Sequence, residues 1–317
     1  MKAQLEPTAM AGAVLVFCLS TIALAAGLEP LATWYYSLAW WSYIAFADAY
    51  LSLRRTPMLD GQGKSDSHRR SILLRSPGAP RLLGLSVVIW LSFEIYNLRL
   101  GNWHYLGIPS SPPIRWAGYA VAYATVLPGL FITAELLALV SRRSPSARLA
   151  LSPAWVRALF WGGLAGSVLP WLWPRYCFPL VWLAPTAFFA AVNHRLGGEG
   201  ILQELGARGP GKLYRLLGAG AICGLLWELW NFWARAKWVY DIPFFHRFPL
   251  FEMPLTGFLG FPPFAVECHE MYLAGDKLLG RLAKTPAARV AAWLGLAAYA
   301  AAAFWAIDRF TVWSFAG

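Results

Sequence analysis

Nine apolar runs, each of a length suited to crossing a bilayer, dominate the sequence: residues 10–28, 31–53, 82–100, 115–140, 155–173, 176–194, 213–233, 255–274 and 288–308. A hydrocarbon core about 30 Å thick takes roughly 20 helical residues. Backbone polar groups at that depth must be satisfied within the protein, which favours helices. Composition excludes an ordinary soluble domain, with 58% hydrophobic and only 14% charged residues and a mean hydropathy of +0.48. The expected fold class is all-α: a polytopic transmembrane helix bundle of about nine spans.

Charge gives the orientation. Arg54, Arg55, Lys64, Arg69, Arg70, Arg75 and Arg81 follow the second run, and Arg142, Arg143 and Arg148 the fourth. Arg195, Arg208, Lys212 and Arg215 follow the sixth, and Lys277, Arg281, Lys284 and Arg289 the eighth. With nine spans all four clusters share one side, which the positive-inside rule assigns to the cytoplasm. The expected location is the bacterial cytoplasmic (inner) membrane, multi-pass, with the N-terminus cytoplasmic. The net charge of +11 is spread over short loops, as topology determinants facing anionic headgroups would be, and no nucleic-acid partner is expected. Lys2 before an apolar stretch, with Ala23-Leu24-Ala25 after it, resembles a signal peptide. The next run follows at once, so a retained helix is expected. Cys18, Cys177, Cys223 and Cys268 form no CxxC pair, which gives neither a disulfide framework nor a thiolate metal site.

Two stretches repeat one pattern. Glu94 and Asn97 are followed by Trp103, His104, Tyr105 and Pro109, and Glu228 and Asn231 by Trp238, Tyr240 and Pro243. Glu94 and Glu228 stand 134 positions apart. Glu135 after Pro128 and Glu267 after Pro262-Pro263 form a second pair at an offset of 132. Each unit spans four apolar runs, so the two enter the membrane in the same direction as parallel repeats. The domains read from this are 1–141, a first four-span repeat; 152–275, a second; and 285–317, an appended C-terminal transmembrane helix.

A carboxyl at membrane depth costs several kcal/mol unless it is used or satisfied. Glu94, Glu228, Glu135 and Glu267 are therefore the candidate catalytic residues, expected to line one central cavity. Asn97, Asn231, Trp103, Tyr105, Trp238, Tyr240 and His104 are the candidate substrate-binding residues. The Pro- and Phe-rich connections, residues 101–114 and 241–254, are expected to dip into the interface as a lid. The bland alternatives stay open at this point. Glu94 and Glu228 could be helix-helix glue, and the Trp and Tyr residues aromatic-belt anchors. His104 and the Glu267-Cys268-His269-Glu270 run offer metal-ligand types, but Glu135 is followed by Leu136-Leu137-Ala138, and no metal or cofactor is assigned.

This tandem of an acid, Asn, Trp-x-Tyr and then a Pro-preceded Glu resembles the membrane-embedded lycopene cyclases of the heterodimeric bacterial and fused fungal type, over residues 90–140 and 224–275. Pro263 stands four residues before Glu267 and Pro128 seven before Glu135, where that family carries a Pro-x-Glu-Glu element. The resemblance implies an isoprenoid or lipid substrate and an isomerase that starts by protonating an alkene. Trp227 to Asn231 and Gly260 to Phe264 are also similar to patterns in bacterial polytopic membrane proteins. The partners expected are membrane lipids or an apolar isoprenoid-like ligand. A proton- or cation-coupled transporter or channel, and a non-enzymatic lipid-binding or assembly protein, are the other functions such carboxyls serve. Oligomeric state is not legible.

Overall fold

The structure is a computed structural model that describes residues 2–54, 76–141, 151–197, 199–244 and 248–316. Arg55, Lys64, Arg69, Arg70, Arg75, Arg142, Arg143, Arg148 and Phe245 lie outside the described residues. In chain order the helices are α1 (Lys2–Ala26), α2 (Tyr35–Arg54), α3 (Ala79–Leu100), α4 (Pro112–Tyr123), α5 (Val126–Val140) and α6 (Pro153–Leu172). After them come α7 (Pro174–Cys177), α8 (Ala184–Arg195), α9 (Ile201–Ala207), α10 (Gly211–Trp233), α11 (Phe261–Leu282) and α12 (Pro286–Phe310). The strands are short: β1 (Trp103–Leu106), β2 (Ile108–Pro109), β3 (Lys237–Tyr240), β4 (Pro249–Leu250), β5 (Met253–Pro254) and β6 (Phe315–Ala316).

Among the described residues four helices are long and apolar enough to cross a membrane: Glu6–Ala26, Ala79–Leu100, Pro112–Val140 and Pro286–Phe310. A fifth arises if Pro174–Trp182 and Ala184–Arg195, bent by 43°, form one broken span. The all-α expectation is met, while spanning character by length and composition extends to four or five helices of the expected nine. The helix ends follow local chemistry. Ser152 and Thr285 accept the backbone N–H of Trp155 and Ala288 as side-chain caps, each followed by Pro at the start of its helix.

The run 115–140 is interrupted between α4 and α5. Pro128 lacks an N–H, and its ring crowds the carbonyl four residues earlier. The buried Ser86 of α3 repairs the interruption, donating to the Tyr123 carbonyl at 2.6 Å and accepting from the Leu127 N–H at 3.0 Å. Without it, two backbone groups would be left unpaired in an apolar setting.

α1 packs on α2, α6 on α8, α12 on α3, and α10 on both α5 and α11. The core lies where α2, α3, α5, α10 and α11 meet, around the fully buried Trp40, Phe93, Leu127, Leu130 and Phe264. α10 and α11 approach closely at Gly220, where an added Cβ would lie 2.2 Å from the Phe261 carbonyl oxygen and 2.8 Å from the Pro262 Cα. Backbone cannot give way as a flexible side chain can. Gly220→Leu is therefore expected to destabilise the protein by about 3 kcal/mol or more, read as a lower melting temperature in detergent. Wild-type melting of that variant would show that the two backbones do not meet there.

Candidate functional site

Gly101 ends α3 in the left-handed region, at φ 63°, where a side chain would be strained. The chain reverses there and returns over the last turn of the helix as β1. Asn97 grips the returning backbone from both sides. Its Oδ1 accepts the N–H of Asn102 at 2.8 Å and of Trp103 at 3.1 Å, and its Nδ2 donates to the Trp103 carbonyl at 2.7 Å. Glu94 lies one turn earlier on the same helix face. Its Oε1 accepts the Tyr105 hydroxyl at 2.5 Å, the Trp90 indole at 2.9 Å and the Trp103 indole at 3.2 Å. Alternation along a strand puts Trp103 and Tyr105 on one face, which explains the Trp-x-Tyr spacing.

α10 and β3 build the same clip. Asn231 Oδ1 accepts the Trp238 N–H at 2.9 Å, and its Nδ2 donates to the Trp238 carbonyl at 2.8 Å. Glu228 Oε1 accepts the Tyr240 hydroxyl at 2.7 Å, and the Trp238 indole donates to that hydroxyl at 2.8 Å. β1 and β3 pair antiparallel, with Trp103 opposite Tyr240 and Tyr105 opposite Trp238. The two sequence motifs thus meet directly, each aromatic of one facing the other kind in its partner.

Behind this ladder lies a cavity of about 510 Å³. Its wall takes Trp90, Trp103, Tyr105, Tyr119 and Tyr123 from the first half, and Trp182, Trp227, Trp238, Tyr240 and Phe264 from the second. Phe93 extends the cluster, stacked on Trp182 with centroids 5.4 Å apart. The connections expected to form a lid do wall the cavity, through Asn102, Ile108 and Pro109 from one and Ile242, Phe244 and Pro254 from the other.

The expectation that four carboxyls line this cavity needs correction. Glu94, Glu228 and Glu267 are fully buried but absent from the wall, and Glu135 is exposed on α5. Glu94 and Glu228 stand one layer behind, because the ring of each clipped tyrosine fills the space between carboxyl and cavity. Tyr105 and Tyr240 line the cavity, and their hydroxyls are turned back onto Glu94 and Glu228. Glu94 Oε2, Glu228 Oε2 and both oxygens of Glu267 have no hydrogen-bond partner among the described residues. Asn97 and Asn231 hold backbone and do not reach the wall, whereas Trp103, Tyr105, Trp238 and Tyr240 all do. His104 points away, its Nε2 3.1 Å from the Gly101 carbonyl oxygen and its ring stacked on Trp313 at 4.0 Å. Burial lowers the His104 pKa from its ordinary value.

Glu270 is engaged elsewhere, accepting from Asn193 at 2.9 Å and from the Ile201 N–H at 2.8 Å, with His269 Nδ1 at 2.9 Å. No group of three or more His, Cys, Asp and Glu side chains converges as a metal site among the described residues. Sequence reasoning missed Arg115 and Asp308. Arg115 lines the cavity and binds Asp308 with two bonds of 2.7 Å, and Asp308 also accepts from Trp116 and Tyr119. An isolated acid in the otherwise uncharged stretch 290–308 was the available signal. No protein-family model, curated protein or solved structure matches the chain.

Proposed function

We propose that this is a bacterial inner-membrane protein, built from two parallel repeats with the basic end cytoplasmic, that binds an apolar isoprenoid or lipid chain in the aromatic cavity and isomerises it by proton-initiated chemistry. One observation carries the reading: an apolar cavity of about 510 Å³ lined by indole and phenyl rings, among them two tyrosines whose hydroxyls are bonded to buried carboxyls. Its size falls in the range of small-molecule pockets. The resemblance to membrane-embedded cyclases adds to it.

The reaction balances without an oxidant or reductant. A wall hydroxyl gives its proton to an alkene carbon, forming a C–H bond and leaving the neighbouring carbon cationic. A second alkene of the same chain attacks that cation and closes a ring. Loss of a proton beside the new cation restores a double bond and returns the proton to the wall. Aromatic faces stabilise the cation through their quadrupoles without capturing it, and an apolar wall keeps out water that would.

The test is to purify the protein in discs of its own membrane, extract bound lipid and identify it by mass spectrometry. A polyisoprenoid or long-chain lipid is expected with the wild type. Ala122→Trp, which adds an indole to the wall, is expected to retain at least about tenfold less of it at unchanged folding. Equal lipid content in the two proteins would sink the reading.

A further inference from the structure

The two clips share a plan but differ at the carboxyl. Glu94 Oε1 accepts three donors, from Trp90, Trp103 and Tyr105. A carboxylate oxygen offers two lone pairs, so a proton on Glu94 is left to Oε2, which has no hydrogen-bond partner among the described residues and so no path to the Tyr105 hydroxyl. Glu228 Oε1 accepts one donor, the Tyr240 hydroxyl. The difference is written in the sequence. The position four residues before Glu94 is Trp90, and the one four before Glu228 is Gly224, where a Cβ would lie 2.2 Å from the Phe261 ring. Phe261 occupies the space in which a second indole would have reached the carboxyl. The remaining indole, Trp238, donates to the Tyr240 hydroxyl at 2.8 Å and also lies within reach of the Glu228 carboxyl.

We infer that the clips have divided their labour, with Glu228 and Tyr240 forming the proton-donating pair of the cavity and Glu94 anchoring the fold. When Glu228 Oε1 carries a proton it donates to the Tyr240 oxygen, which also accepts from Trp238. Both lone pairs of that oxygen are then filled, which releases its own O–H from Glu228 to rotate toward the cavity that Tyr240 lines. Transfer breaks the Tyr240 O–H bond as a C–H bond forms on the alkene. The Glu228 proton moves to the Tyr240 oxygen, leaving a carboxylate. The proton lost from the product cation returns along the same two atoms. Tyr105 has no equivalent freedom, since its hydroxyl is shared between Glu94 and Tyr123, 3.0 Å away.

This assignment rests on the proposed reaction, and the test separates the two. Squalene, as an all-trans polyprene probe, is incubated in heavy water with protein in phosphatidylglycerol discs, and deuterium uptake is read by mass spectrometry. Glu228→Gln and Tyr240→Phe are expected to lower uptake by about a hundredfold or more, the usual worth of a positioned acid. Melting separates the copies independently of any ligand. Glu94→Leu strands the donors of Trp90, Trp103 and Tyr105 and is expected to melt below Glu228→Leu, which strands the Tyr240 hydroxyl at a site with fewer donors. Absence of uptake in the wild type would overturn the reaction itself. Uptake that survives Glu228→Gln but is lost in Tyr105→Phe would overturn the division, as would equal melting of the two leucine variants.

Discussion

Asn97→Leu is expected to destabilise the protein by about 3–5 kcal/mol, close to the whole stability of many domains. Leucine keeps the approximate volume but supplies neither acceptor nor donor. The N–H groups of Asn102 and Trp103 and the Trp103 carbonyl would then lose the partners that hold β1 on α3. Both residues are buried, at 5% exposure each, so water cannot replace the amide without opening the site. Asn231→Leu removes two such bonds at a less enclosed strand and is expected to cost about 2 kcal/mol. Thermal melting in detergent, followed by tryptophan fluorescence, checks both. If Asn97→Leu melted with the wild type, its amide would be free to serve a ligand, and the clip would not be what positions Tyr105.

The parts of the site legible in the sequence were those whose cost is intrinsic to the residue. A glutamate or asparagine inside an apolar run demands a partner wherever it sits, so Glu94, Asn97, Glu228 and Asn231 stood out. Their roles did not, because the partner of each asparagine is backbone, and backbone carries no signature. Four-residue strands also leave too little alternation to read, so the pairing of Trp103 with Tyr240 could emerge only from the folded chain.

Glu135 was misplaced for a geometric reason. Aligning the halves by the 134-residue offset of Glu94 and Glu228 sets Glu267 against Thr133, not Glu135. Thr133 is buried and hydrogen-bonded to Tyr43 at 2.7 Å. A slip of two residues turns a helix position by about 200°, which carries Glu135 from the packed face to the exposed one. The broken span is similar. The run 115–140 reads as one span, and nothing local to α4 or α5 points to Ser86, some forty residues earlier, as the group that satisfies its break.

Asp308→Leu is the other change from which a large effect is expected. Asp308 lies near the end of α12 and accepts from Arg115 Nε and Nη2 at 2.7 Å, the Trp116 indole at 2.8 Å and the Tyr119 hydroxyl at 3.0 Å. The Arg115 Nη1 donates to the carbonyls of Pro109 and Ser110. One carboxylate therefore ties the last helix to α4 and, through Arg115, to the connection that walls the cavity. The chain after α12 reinforces this tie. The Tyr105 N–H donates to the Thr311 carbonyl and the Trp313 N–H to the Tyr105 carbonyl, both at 2.9 Å, and β6 pairs with β2. Removing one member of a buried, hydrogen-bonded ion pair leaves the other charge uncompensated, at a cost of about 3–5 kcal/mol. The Arg115 side chain is only 6% exposed, so rescue by water is poor. The double variant Arg115→Met with Asp308→Leu removes both charges and is expected to cost less than the sum of the two single losses, since no buried charge is left unpaired, while the Trp116, Tyr119, Pro109 and Ser110 groups still lose their partners. Melting of the two single variants and the double variant measures the coupling. Additive losses would mean that the ion pair does not hold α12 to the cavity wall, and that the backbone bonds of Tyr105 to Thr311 and Trp313 hold the C-terminal segment there without it.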